Sequence, residues 1–177
     1  MWIFSRENKP ALTDAQRKVL AKAGAAGTAL YVAGDNDPCN ADATALLAVL
    51  LPGAKISGNT PGQTKLTAGD DLPEKGGGFL RESPLFTGIN TLYEGFTVGA
   101  IQCPPGLEPV CQGSAGGALV AALPGSKRHG RLVVDAGFTR WFSEHYDTAG
   151  TERLGINLTA WLAGAGSARG AVTKGKE

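Results

Sequence analysis

One arrangement that occurs twice in the chain constrains its fold more than any other feature. A short apolar run, at residues 29–33 and again at 132–134, is followed by a polar loop and then by a helix with an apolar face. Runs without apolar–polar alternation are typical of strands buried on both faces, as in a parallel sheet. The carboxyl ends of such strands meet at one edge of the sheet, where open α/β sheets place ligand sites. The sequence therefore predicts a candidate site at that edge.

The remaining segments extend this α/β pattern. Residues 2–4 predict a first strand, and Thr13 with Gln16 has the capping-box spacing that begins a helix. Strands dominate the middle of the chain, so we expect a mainly parallel sheet covered on both faces, with a β-rich insertion in the middle. Residues 1–164 form a single domain in this prediction. Residues 165–177, rich in Gly, Ala and Lys, are expected to form a disordered tail.

Composition excludes several classes of protein. A formal net charge of +1 over 177 residues gives no electrostatic basis for binding nucleic acid or an anionic membrane surface. No run of eighteen apolar residues is present, and the first ten residues are too short and too polar for a signal peptide. Three cysteines do not make a disulfide framework, although Cys103 and Cys111 could pair. We therefore expect reduced thiols and a cytoplasmic or other reducing, soluble compartment.

The loop after the first buried run has a high density of oxygen ligands. Asp35, Asp37 and Asp42 occur with Asn36 and Asn40, and such groups can hold Ca²⁺ or Mg²⁺. The spacing is not that of the twelve-residue calcium loop, and Asp and Asn are also preferred where helices begin. The favoured interpretation is helix capping, with no cofactor assigned. Asp35, Asp37 and Asp42 remain the candidates for a divalent metal.

Cys39 is a candidate nucleophile because a helix N-terminus lowers the pKa of a thiol. A nucleophile needs a base, and His145 follows the later strand, so the two side chains could meet at the sheet edge. Against this pairing, Pro38 and Asn40 flank Cys39, and no small-residue elbow surrounds it. A packed, inert thiol is the favoured interpretation.

The loop after the second run carries groups that suit an anion. Arg140 offers a bidentate fork for phosphate or carboxylate, but it could equally pair with Asp135 or Asp147 and hold the loop in shape, which is the favoured role. The ligand-binding candidates are the polar residues that follow the two runs: Asp35, Asn36, Asp37, Asp135, Thr139, Arg140 and Asp147. Aromatic residues surround this second loop, and they would mark a partner surface if several were exposed.

Five segments together resemble the class I glutamine amidotransferase-like proteins, a broad group that includes ThuA-like proteins. The segments are WIFS, ALYVAGDNDP, SPLFTGI, VVDAGFTRW and ERLGINLTAWL, which span roughly residues 2–162. The resemblance implies a flavodoxin-like three-layer sandwich. It does not imply the activity, because the chain has no Gly-x-Cys-x-Gly elbow and no His-x-Glu pair.

These observations favour a non-catalytic, amidotransferase-like domain that serves as a binding or structural module of a larger protein or assembly. Its expected partner is a protein or a second copy of the chain, with a small molecule as a further candidate and with neither nucleic acid nor membrane. The alternative is a hydrolase that uses Asp35, Asp37 and Asp135 around a metal, or Cys39 with His145. That alternative requires these side chains to converge in an open pocket.

Overall fold

The computed structural model describes residues 1–164, so the predicted disordered tail at 165–177 lies outside the described residues. The strands are β1 (Trp2–Ser5), β2 (Leu30–Gly34), β3 (Lys55–Pro61), β4 (Lys65–Gly69), β5 (Gly78–Leu80), β6 (Thr91–Tyr93), β7 (Thr97–Gln102), β8 (Glu108–Gln112), β9 (Ala118–Leu123) and β10 (Leu132–Asp135). The helices are α1 (Asp14–Ala25), α2 (Ala41–Leu50), the single turn α3 (Ser143–Tyr146) and α4 (Thr151–Leu162). Short 3₁₀ helices cover Pro84–Phe86 and Phe138–Trp141.

The first helix begins where the sequence predicts it. The Thr13 hydroxyl accepts a hydrogen bond from the backbone N–H of Gln16, and the Gln16 side chain accepts one from the backbone N–H of Thr13 at 2.8 Å. This capping box satisfies N–H groups that have no partner within the helix. The chain leaves α1 through Gly27, whose φ of +101° is readily available only to glycine.

Eight strands form one mixed sheet, in the order β1-β2-β10-β9-β8-β5-β4-β6. Strand β2 pairs in parallel with both β1 and β10, and β4 pairs in parallel with β5. The other neighbours, β10 with β9, β9 with β8, β8 with β5 and β4 with β6, are antiparallel. The prediction of a three-layer α/β sandwich with a mainly parallel, flavodoxin-like sheet is therefore wrong.

The error has a physical cause in the middle of the chain. A parallel pair needs a crossover connection of a dozen or more residues, whereas antiparallel strands can be joined by a tight turn. Strands β8 and β9 are joined by the short glycine-rich turn at 113–117, and this connection reverses the chain direction. The middle strands are consequently not an insertion, because β4, β5, β6, β8 and β9 continue the sheet that begins with β1, β2 and β10.

Strands β3 and β7 form a separate two-stranded antiparallel ribbon that lies close against the main sheet. The close approach depends on glycine. A Cβ atom at Gly117, directly before β9 of the main sheet, would lie 2.6 Å from the Cβ of Ala100 on β7. The same ribbon contacts the end of β2, where a Cβ at Gly34 would lie 2.7 Å from Ile56.

The two faces of the parallel part of the sheet differ. Side chains alternate along a strand, so Leu30 and Tyr31 point to opposite faces of β2. Helices α1 and α2 cover the Leu30 face, with Gly24 next to Leu30. On the Tyr31 face, the side chain of Trp141 packs against the tyrosine ring. This second face carries the loop that follows β10.

Candidate functional site

The carboxyl ends of β2 and β10 lie side by side. The two strands pair in parallel, with Leu132 opposite Leu30 and Asp135 opposite Ala33. The loops that carry most of the polar candidates therefore leave the sheet at the same edge. What they can do depends on which of their polar groups are already engaged.

In the first loop, Asp37 and Asn36 bind the ribbon strand β3. The Asp37 carboxylate accepts hydrogen bonds from the backbone N–H of Gly58 at 2.5 Å and from the Asn40 side chain at 2.8 Å. The Asn36 amide donates to the Asn59 side chain at 3.1 Å. These contacts fix the loop against β3 and leave little oxygen free for a ligand.

Asp35 is half-buried, and burial raises the pKa of its carboxyl above the ordinary value, an effect that the bond from the Asn36 backbone N–H partly offsets. Asp42 binds a different segment of the chain. Its carboxylate accepts the backbone N–H groups of Ala11 and Leu12 at 3.1 and 2.8 Å, and so holds the segment that leads into α1. Across residues 1–164, no three His, Cys, Asp or Glu side chains are placed to share a metal ion.

Asp135 is the centre of a buried network on the Tyr31 face. One carboxylate oxygen accepts the Tyr31 hydroxyl at 2.7 Å and the Arg140 guanidinium at 2.6 Å. The other accepts the backbone N–H of Gly137 at 2.9 Å. Burial, and secondly the charge of Asp135, raise the pKa of Tyr31 well above its ordinary value, so this hydroxyl stays a donor.

Arg140 joins this network to a distant segment of the chain. Its Nε donates to the carbonyl of Tyr93 at 2.9 Å, and an Nη donates to the carbonyl of Glu94 at 2.7 Å. Thr139 acts beside it, because its hydroxyl accepts the backbone N–H of Phe96 at 2.8 Å. Arg140 and Asp135 are both closed to solvent. Each guanidinium nitrogen and each carboxylate oxygen has a hydrogen-bond partner within the chain.

Glu94 belongs to the same buried network, and sequence analysis did not select it. Its carboxyl oxygens accept the backbone N–H and the hydroxyl of Ser114, both at 2.8 Å, and the side chain is fully buried. Tyr31 was missed for the same reason, since within an apolar run it reads as core. Each of the two residues carries a polar group on a short segment that the fold buries. A buried polar group requires a hydrogen-bond partner, but the sequence does not show which segments are buried.

The structure gives Cys39 and His145 separate surroundings. The His145 ring stacks on Phe96 with centroids 6.0 Å apart and lies 5.3 Å from the Tyr93 ring. No hydrogen bond joins it to Cys39 within the described residues, where the loop holding Cys39 is closed by its backbone bond to Asn36 at 2.7 Å. Asp147 lies exposed at the end of α3. Within residues 1–164, neither a three-residue metal cluster nor a Cys39–His145 hydrogen bond supports the hydrolase alternative.

The three cysteines carry free thiols. Burial, and secondly Glu108, raise the pKa of Cys103 to about 11, and burial raises that of Cys111 further. Neither thiol has the electropositive, accessible environment of a reactive cysteine.

Beside the buried network lies an exposed apolar surface, here called the aromatic face. Its members are Trp2, Phe4, Trp141, Phe142 and Ile156. The rings of Trp2 and Trp141 are 5.5 Å apart, and Phe4 contacts both. Between these tryptophans and α4 runs an open groove of about 720 Å³, which Ile156 also lines. Solvent reaches 44% of Phe4, 39% of Phe142 and 54% of Ile156.

Comparison with known proteins gives a fold and no family. No family model matches the chain, and no curated protein matches it by sequence. Among solved structures, the mmIFT52 N-terminal domain is similar, with a TM-score of 0.67 and 13% sequence identity over 93% of this chain and 78% of that one.

At this identity the likeness shows the fold alone. This likeness contradicts the resemblance to the glutamine amidotransferase-like, ThuA-like proteins, as does the mixed sheet, which is not flavodoxin-like.

Within residues 1–164, no helix is both long enough and apolar enough to cross a bilayer. The fold of the described residues is shared with a domain of another protein.

Proposed function

We propose that residues 1–164 are a single, non-catalytic domain that binds a protein partner through the aromatic face, as a module of a larger protein or assembly. The observation that carries this proposal is the exposure of Phe4, Phe142 and Ile156 together with the open groove that Ile156 lines beside Trp2 and Trp141. Contiguous exposed apolar surface with large aromatic side chains is typical of protein–protein interfaces.

The state of the polar candidates supports a non-enzymatic role. Asp135 and Arg140 are closed to solvent, and the Asp37 carboxylate accepts from two donors of its own chain. Catalytic groups must reach a substrate in an accessible pocket, which such engaged side chains do not. The similar structure is an N-terminal domain, so this fold occurs elsewhere as one part of a longer protein. That occurrence supports the proposal of a module.

Photocrosslinking in the native host tests the proposed surface. We would place p-benzoylphenylalanine, one position per variant, at Phe142, which follows the groove residue Trp141 in the chain, and at Ile156 on α4, which lines the groove. Val19 is the matched control, because it is 66% exposed on α1, on the other face of the sheet. We expect one protein, which includes the case of a second copy of this chain, to be crosslinked from both Phe142 and Ile156 and not from Val19.

The supporting variants are Phe142→Ser and Ile156→Ser. Both side chains are exposed, so these changes should leave the fold intact and remove the crosslinked complex formed from the other position. A set of adducts identical to that of the Val19 control, or no adduct at either position, would contradict the proposal.

A further inference from the structure

A second cavity lies at the opposite edge of the sheet from Asp135. It has a volume of about 450 Å³ and opens beside the first residues of β2 and β10. Leu30, Leu50, Leu123 and Leu132 provide its apolar lining. Cavities of a few hundred cubic ångströms with apolar walls and a few polar groups are typical of small-molecule sites.

The charge around this cavity has a single sign. Lys22, Arg128, His129 and Arg131 all line it, and no lining residue is Asp or Glu. Arg131 already donates to the Trp161 carbonyl and lies over the Trp161 ring at 4.9 Å, so it contributes its positive field and not a free donor. Lys22 and Arg128 are exposed at the mouth.

A turn holds Arg128 at the mouth of the cavity. The backbone N–H of Ser126 donates to the His129 carbonyl at 2.9 Å, and the backbone N–H of Arg128 donates to the Ser126 hydroxyl at 3.0 Å. Gly130 then bonds to the carbonyl of Gly24 at 2.8 Å, which fixes the turn against the end of α1. These bonds fix the backbone of Arg128 beside the cavity, which its exposed side chain lines.

One alternative is that these cations only offset the carbonyl end of α1. A helix C-terminus carries roughly half a negative charge. Lys22, Arg128 and Arg131 bring three full positive charges to the same region, so the helix end leaves a clear positive excess. The cavity therefore combines an excess of positive charge with apolar walls, and a matching ligand would carry both an anionic group and an apolar body.

We propose that this cavity binds a small amphipathic anion, with an apolar body on the leucine lining and a carboxylate or similar anionic group beside Lys22 and Arg128. The cavity is separate from the aromatic face, so this proposal does not depend on the proposed binding of a protein partner. Charge-assisted hydrogen bonds at the mouth supply orientation, and the buried apolar body supplies most of the affinity.

Titration with octanoate, followed by amide chemical-shift changes, tests the site. We expect saturable shifts for residues that line the cavity, with octylammonium and octan-1-ol binding at least about threefold more weakly, because neither offers an anion to the cations. Lys22→Ala and Arg128→Ala should each weaken octanoate about threefold, and the double variant about tenfold. Their matched controls are Lys18→Ala and Lys127→Ala, which remove neighbouring charges that do not line the cavity.

The apolar wall is tested separately. Val49 lines the cavity with 43% of its surface exposed, so Val49→Gln should fold and should weaken octanoate about threefold or more, while Val19→Gln on α1 should not. Phe142→Ser should also leave octanoate binding unchanged, which distinguishes this site from the aromatic face. No saturable binding of octanoate, equal binding of octylammonium, or unchanged affinity in the Lys22 and Arg128 variants would overturn the proposal.

Discussion

Arg140 has a guanidinium group that is closed to solvent, and each of its three nitrogens has a partner in the chain. The partners are the Asp135 carboxylate and the carbonyls of Tyr93 and Glu94. A buried charge of this kind is tolerated only when it is paired and hydrogen-bonded. The side chain therefore fixes the loop after β10 to the segment after β6, and each of its nitrogens donates within the chain.

Replacing Arg140 tests this role. Arg140→Met keeps much of the volume but leaves the Asp135 charge and two carbonyls unpaired, so we expect a loss of about 3–5 kcal/mol in the free energy of unfolding, measured with urea. Adding Asp135→Asn should recover part of that loss, because the buried charge is then removed. Arg81→Met is the control: Arg81 pairs with Asp70 at the surface, and its loss should cost less than about 1 kcal/mol. A small effect of Arg140→Met would contradict the role.

Asp35 gives a prediction that depends on pH. Burial raises the pKa of this carboxyl, so the folded state binds the proton more tightly than the unfolded state, and stability falls as pH rises through the two pKa values. Asp35→Asn removes that penalty. We expect the variant to be more stable at pH 7 by no more than about 1 kcal/mol, given the solvent screening of a half-exposed group, and equal to the parent near pH 3. Urea unfolding at both pH values measures this, with exposed Asp71→Asn as the control; a variant less stable at pH 7 would be inconsistent with it.

Among the secondary-structure elements, those that depend on local interactions were predicted correctly from sequence, and those that depend on distant partners were not. The first helix was predicted from its capping box, and β2 and β10 were predicted from apolar runs, because these signals are local. Strands β4, β5 and β6 are only three to five residues long and rely on distant partners, such as β8 for β5, so the local pattern did not indicate them. An apolar run also carries no information on strand direction, which is why a parallel sheet was predicted.

The candidate site shows the same division. Asp135, Thr139 and Arg140 were selected from sequence because polar residues after a buried strand are conspicuous. Glu94 was not, because its burial follows from the contact between two segments that are far apart in the chain. Whether a selected group binds a ligand or its own backbone depends on such contacts, and the sequence pattern is the same in both cases.

The packing of the β3–β7 ribbon gives a prediction at the same scale. Gly117→Ala would place a Cβ 2.6 Å from that of Ala100, so one backbone must move, at a cost of about 1–3 kcal/mol. Gly155→Ala is the matched control on α4, since its Cβ would meet only the Trp141 ring at 3.4 Å and alanine is the better helix former. Thermal unfolding of both variants measures the difference. Equal melting temperatures would show that the ribbon adapts without cost.

For the molecule as a whole, the buried polar groups connect three loops that are distant in sequence. Arg140 and Thr139 hold residues 93–96, and Glu94 holds Ser114 in the turn between β8 and β9. The contacts form one continuous chain of hydrogen bonds from β2 to that turn. Loosening one member is therefore expected to loosen the others.

Hydrogen exchange can detect this coupling. Glu94→Gln leaves one acceptor oxygen where two donors of Ser114 are bound, at a cost of about 1–3 kcal/mol. We expect faster exchange at residues 93–96 and 113–117, extending to 137–140, while the amides of α1 keep their rates. Glu108→Gln, at an exposed position of β8, is the control and should change none of these segments. Faster exchange confined to Ser114 would refute the coupling.

The position of β10 in the sheet has a consequence for biosynthesis. Within the described residues 1–164 this strand is the last, yet it lies between β2 and β9. While the nascent chain emerges from the ribosome, β2 and β9 both lack their common neighbour until residues 132–135 have been made. Unpaired strand edges of this kind are prone to aggregate, and pairing between distant segments is slow. We expect the sheet to close late, after translation of β10, so its two halves would depend on chaperones more than a sheet assembled in chain order.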